Sequence, residues 1–146
     1  NHLEPDHDAA VRSAMTGFAP GQVSVASPLT RRWARTLTDE FKRGACHAGQ
    51  YESSLILFAA PALVRQGLGG ELPDLAVSLS DGIRSGLHTF REMGMDRAYT
   101  GSPASASIEE GRDLLGRLVT MVTTEVIEAI ALLAPHRDPM ESPHDL

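Results

Sequence analysis

The segment from Ser107 to Ala134 constrains this chain more than any other. Ser107-Ile108-Glu109-Glu110 has the form of a capping box. In that arrangement the serine hydroxyl accepts from the third backbone N–H and the glutamate reaches back to the cap. Beyond it Leu114, Leu115, Leu118, Val119, Val122, Val126, Ile130 and Leu133 recur at intervals of three and four. That spacing predicts an amphipathic helix of about seven turns, at 3.6 residues per turn. Pro135 ends it, because proline lacks the N–H that a helix interior needs. Residues 136–146 then read as a polar tail, with residues 1–135 as the folded part.

Upstream signals are shorter. After Pro5, the segment Asp6–Met15 carries Ala9, Ala10, Val11 and Ala14 at helical spacing with carboxylates in its first turn, so a helix ending near Gly17 is expected. Gln22–Ala26 alternates and is β-branched, which predicts a short strand closed by Ser27-Pro28. Thr30–Leu37 is a mixed, basic segment around Trp33. Thr38-Asp39-Glu40 opens one helical turn that Gly44 stops. From Gly49 or Gln50 to about Val64 the apolar residues predict a largely buried helix, with Pro61 as a break. Leu75–Leu79 has the length and branching of a strand, whereas Gly82–Gly94 fits helix or irregular structure equally. Tyr99–Ala106 is a Gly/Pro/Ser loop. Helices alternating with short strands predict an α/β sheet protein.

Composition excludes several functions. The chain has 146 residues, is 42% hydrophobic and 22% charged, and so has the make-up of one globular domain. Its net charge of −6 and its scattered basic residues argue against a nucleic-acid partner, which needs a concentrated basic face. No apolar run approaches the roughly 20 residues that span a bilayer. No signal or transit pattern is visible. The single cysteine, Cys46, rules out an internal disulfide and fits a reducing cytoplasm.

Two clusters can carry chemistry. His2 and Glu4 are two residues apart, so on an extended segment they point the same way, and Asp6 and His7 follow closely. Such nitrogen and oxygen donors suit Zn²⁺ or Mn²⁺, although a solvated polar N-terminus has the same pattern. His47 lies just before an apolar helix, with Glu52 five residues on. An imidazole near a carboxylate is a usable proton donor or acceptor near neutral pH, and a helix-capping His with a dipole-compensating Glu is the plainer alternative. Cys46 adjoins His47, but sequence neighbours on a turn rarely face each other, and it is not taken as a nucleophile.

The string His47-Ala48-Gly49-Gln50-Tyr51-Glu52-Ser53-Ser54-Leu55 resembles the His-Ala-Gly-x-x-Glu-Thr-Ser-x-Met/Leu motif of the creatininase family. Tyr99–Gly111 is similar to that family's Gly-Asp-Pro-x-x-Ala-Ser-x-Glu-x-Gly segment. Asn1-His2-Leu3-Glu4 resembles the end of its Asn-Gly-His-x-x-Asn motif, in the variant with Glu two residues after His. The three occur in the family's order, as in the C-terminal half of its domain. The resemblance implies a three-layer α/β/α fold and hydrolysis of a C–N amide bond by water held between two divalent metals, Zn²⁺ or Mn²⁺. It assigns His2 and Glu4 to the metal and His47 to acid/base or substrate contact. Glu52 is implied as a metal ligand or as the group orienting His47.

This sequence departs from the pattern at several points. Members acting on creatinine carry Trp four residues before the motif His, where this chain has Arg43; a cation there suits an anionic substrate group or simply solvent. Pro5 replaces the usual Asn, Ser53 a Thr, and Ser102 an Asp.

The resemblance further implies metal ligands in an N-terminal half that this chain does not contain, since Asn1 already lies in the middle motif. A processed subunit or fragment, joined to an N-terminal partner, is therefore expected, as is oligomerisation, often to hexamers in the family. The leading expectation is a metal-dependent amidohydrolase acting on a small cyclic or linear amide. The alternative is a creatininase-like binding or assembly subunit without catalysis.

Overall fold

In a computed structural model of the chain, residues 5–45 and 47–133 are described. Seven helices appear among them: α1 (Pro5–Ala14), α2 (Arg31–Ala34), α3 (Asp39–Lys42), α4 (Gln50–Ala59), α5 (Gln66–Gly69), α6 (Leu79–Arg84) and α7 (Ile108–Leu133). Two single 3₁₀ turns, Pro61–Leu63 and Pro103–Ser105, precede α5 and α7 respectively.

The long C-terminal helix is present over 26 residues. Its cap is built differently from a self-contained capping box. Ser107 Oγ accepts from Glu110 N–H (3.1 Å), but the Glu110 carboxylate accepts instead from Ser54 Oγ (2.9 Å) and Gln50 Nε2 (2.7 Å). The orphan Ser107 N–H donates to Ser54 Oγ at 3.0 Å. The start of α7 is thus tied to α4 rather than closed on itself. These two helices make the principal contact of the fold.

Leu37, Phe41, Tyr51 and Leu114 form the core where α3, α4 and α7 meet, with Ala34, Leu55 and Leu118 against them. The Phe41 and Tyr51 rings are tilted at 57° with centroids 4.9 Å apart. Full burial of a side chain such as Leu114 is worth about 1.5–3 kcal/mol. Trp33, on α2, is buried beside α7, where its indole N–H donates to Glu125 (2.6 Å).

A second stripe on α7 stays uncovered. Ile108, Leu115, Val119, Val122, Val126, Ile130 and Leu133 are all exposed, and they lie next to the face that carries buried Leu114 and Met121 and partly buried Leu118. Among the described residues no helix is long and apolar enough to cross a membrane.

The expected three-layer α/β/α architecture is not found: among the described residues there is no sheet, only the isolated bridges Pro20–Val23 and Leu75–Gly101. A β-branched segment becomes a strand only when a neighbour offers a ladder. Gln22–Ala26 instead follows a tight turn at Gly21, whose φ is +86°. In Leu75–Leu79 the carbonyls of Leu75 and Val77 accept from the Thr100 hydroxyl, and Leu79 already belongs to α6, capped by Ser78. Gly82–Gly94, undecided from sequence, is the end of α6 followed by turns. Pro61 does break the α4 segment, which ends at Ala59.

Candidate functional site

His47 and Glu52 come together at the entry to α4. Gly49 caps that helix in an extended conformation, and Ala48 just before it has φ +50°, unusual for a residue with a side chain. The turn is held at three points. Ala48 N–H donates to Glu52 Oε2 (2.8 Å), Thr100 N–H donates to the His47 carbonyl (2.9 Å), and the Ser53 hydroxyl approaches the Ala48 carbonyl (3.5 Å). His47 Nδ1 then lies 4.0 Å from Glu52 Oε2, with side chains 38% and 32% exposed. That is ion-pair rather than hydrogen-bond range. The His47 ring packs against Phe90, centroids 4.7 Å apart.

Glu52, but not His47, lines a cleft of about 690 Å³, within the range of small-molecule sites. Its walls are the outer face of α4 (Ser53, Ile56), the Leu63–Leu72 segment and the Pro103 turn, and Arg65 is its other charged residue. Arg43 lies elsewhere, lining a separate cavity of about 400 Å³ with Glu40, Asp74 and Ser102. The idea that Arg43 meets a substrate anion beside His47 thus gains no support.

His2, Glu4 and Cys46 lie outside the described residues. The helix after the first motif does reach α4: His7 and Val11 line a cavity of about 510 Å³ with Tyr51 and Leu55. Among the described residues no group of three or more His, Cys, Asp or Glu side chains could hold a metal ion. His47 and Glu52 are two donors, too few by themselves for a metal centre, and one Glu52 oxygen is already engaged by Ala48.

The family model for creatininase, described as creatinine amidohydrolase, matches residues 3–129. The chain belongs to the creatininase family. No curated protein and no solved structure matches it. The match runs through both the His47–Leu55 string and most of α7, so the family's His-Ala-Gly turn and its Ser-x-Glu-x-Gly helix start are in this chain one connected structure. Ser54 and Glu110 join them directly.

Two contributors to this creatininase-family site escaped the sequence reading. Phe90 packs on the imidazole from a segment with no distinctive pattern. Glu40, taken as a helix-opening acid, is buried at 6% exposure, with Tyr51 N–H (3.1 Å) and Ser102 N–H (2.9 Å) donating to its carboxylate. Its position in the first turn of α3 gave no sign of this.

Proposed function

We propose that this chain is a metal-dependent amidohydrolase that cleaves the C–N bond of a small cyclic or linear amide. The observation that carries the reading is the His47–Glu52 pair, each side chain about one third exposed and the two 4.0 Å apart, with Glu52 lining a cleft of small-molecule size. Amide cleavage needs a proton delivered to a poorly leaving nitrogen, and imidazole is the side chain that exchanges protons near neutral pH. His47 is the proton carrier. Glu52 fixes the turn that presents it and stabilises the imidazolium formed when it takes up a proton; a direct metal bond from Glu52 is the other role this family allows.

By family resemblance the Zn²⁺ or Mn²⁺ ions are assigned to His2 and Glu4. A divalent ion of this kind makes hydroxide available near pH 7. Two ions need more donors than His2, Glu4 and Glu52 provide, so the reading includes an N-terminal half of the same fold, as a separate chain or as a segment of a longer polypeptide, that carries the remaining ligands. The uncovered α7 stripe supports a partner with a complementary apolar face: its seven apolar residues are all exposed along one side of the helix. The same stripe suits the second reading, a binding or assembly subunit without catalysis.

Hydrolysis of a panel of small amides, before and after chelation, separates the two. Turnover that stops on chelation, returns with Zn²⁺ or Mn²⁺ and falls at least a hundredfold in His47→Gln supports the hydrolase. Turnover indifferent to chelation and to His47→Gln refutes it, and metal-free protein that still assembles with its partner favours the second reading.

A further inference from the structure

Glu40 is the only charged residue in the buried set of the described residues. Both of its carboxylate oxygens face backbone: Oε1 accepts from Tyr51 N–H in the first turn of α4, and Oε2 accepts from Ser102 N–H at the start of the Pro103 turn. The space around it is reserved by two glycines. A Cβ on Gly49 would come within 2.4 Å of Glu40 Oε1, and one on Gly101 within 2.4 Å of Glu40 Cδ. Gly49 follows His47 by two residues, and Gly101 sits beside Thr100, whose N–H holds the His47 carbonyl. Glu40 thus joins the two segments that frame the candidate site, and both of these donors are main-chain N–H groups.

We propose that Glu40 is a positioning residue that sets the placement of His47 relative to Glu52 and the Pro103 turn. It touches no substrate; it acts through the backbone at Tyr51 and Ser102. The inference rests on the reading that His47 and Glu52 are the working pair. A carboxylate does this better than an amide. Ionised Glu40 offers an acceptor at both ends, whereas a Gln side chain turns an NH₂ toward one of the two N–H groups and must break one contact. A shorter Asp keeps the charge but cannot span both loops.

The test is NMR on the intact chain, which needs no substrate. In the unaltered protein the Tyr51 and Ser102 amides exchange with solvent at least tenfold more slowly than the amide of exposed Gly67. In Glu40→Gln one or both lose that protection, and the His47 imidazole resonances at fixed pH move, while the Trp33 indole N–H signal, held by Glu125, stays in place. Unprotected Tyr51 and Ser102 amides in the unaltered chain overturn the proposal, even if Glu40→Gln fails to fold. So does a folded Glu40→Gln whose His47 imidazole resonances are unchanged. Where hydrolysis is measurable, Glu40→Gln lowers kcat at least tenfold with KM changed less than threefold. A His47 signal that follows Glu40 in a protein hydrolysing no amide sinks the proposed function and leaves the clamp standing.

Discussion

Gly111 and Gly116 lie on the same helix five residues apart, and replacing each with alanine should change stability in opposite directions. In a helix interior, alanine is favoured over glycine by about 1 kcal/mol. At Gly116 nothing lies within 4 Å of the added Cβ, so Gly116→Ala gains up to that amount. At Gly111 the added Cβ would sit 1.9 Å from the Ser54 carbonyl oxygen, 2.6 Å from its carbon and 2.8 Å from Phe58 Cβ. Two of those atoms are backbone of α4 and cannot rotate away, so α4 and α7 must move apart. That separation loosens Leu114 and the Ser54–Glu110 hydrogen bond together. Overpacking of this kind costs about 1–3 kcal/mol when side chains can adjust, and the rigid contact places Gly111→Ala at or above the upper end. Set against the helix gain, the expected net loss is about 2 kcal/mol, and the two variants differ by about 3 kcal/mol. For a chain of this size a 2 kcal/mol loss lowers Tm by roughly 6–8 °C. Urea and thermal unfolding followed by circular dichroism measure both. Equal stability of the two alanine variants would refute the close α4–α7 approach.

Trp33→Phe deletes the indole N–H that meets Glu125 at 2.6 Å and leaves space under α2; a loss of about 1–3 kcal/mol is expected by urea unfolding, and an unchanged midpoint contradicts the contact. Three donors, the His88 and Thr89 N–H groups and the Thr89 hydroxyl, hold the Glu92 carboxyl below its ordinary value, the His88 N–H foremost. A depressed carboxylate contributes stability above its unfolded pKa and loses it as pH falls through the folded one. The turn at Thr89 should therefore loosen as pH drops below about 4.5, and Glu92→Gln should flatten that part of the stability–pH curve; identical acid limbs would show that the three donors do not act on the charge.

Elements fixed by near neighbours in the chain were readable in advance. The α7 period, the Thr38 cap of α3, the Pro61 break and the helix after Pro5 depend on residues within one or two turns. The sheet was inferred from segments whose state depends on distant partners. Leu75–Leu79 has strand-like residues, yet Thr100 takes two of its carbonyls and Ser78 turns the chain into α6. Branching alone does not supply a ladder. The site divides in the same way. A spacing of five put His47 and Glu52 in reach of each other, and the structure places them so. Glu40 could not be found by pattern, because its partners are main-chain groups 11 and 62 residues away and every residue type but proline supplies an N–H.

The family motifs carry two kinds of information, and burial separates them. Ser54 and Thr100 are fully buried, and their hydroxyls join α4 to α7 and fasten the Leu75–Val77 segment. Gly49, Gly101 and Gly111 each stand where a Cβ would strike Glu40 or the backbone of a neighbouring element. These five residues are explained by packing alone and need no chemistry to account for them. His47 and Glu52 are left over. Neither fills the core, each is about one third exposed, and Glu52 faces the cleft. The His47 carbonyl is held by Thr100 N–H, and its Nδ1 stands 4.0 Å from the Glu52 carboxylate, an ion-pair separation. The turn beside it is unusual as well: Ala48 stands at φ +50° while its N–H donates to Glu52, a sparsely populated conformation for a residue with a side chain that the surrounding contacts must hold.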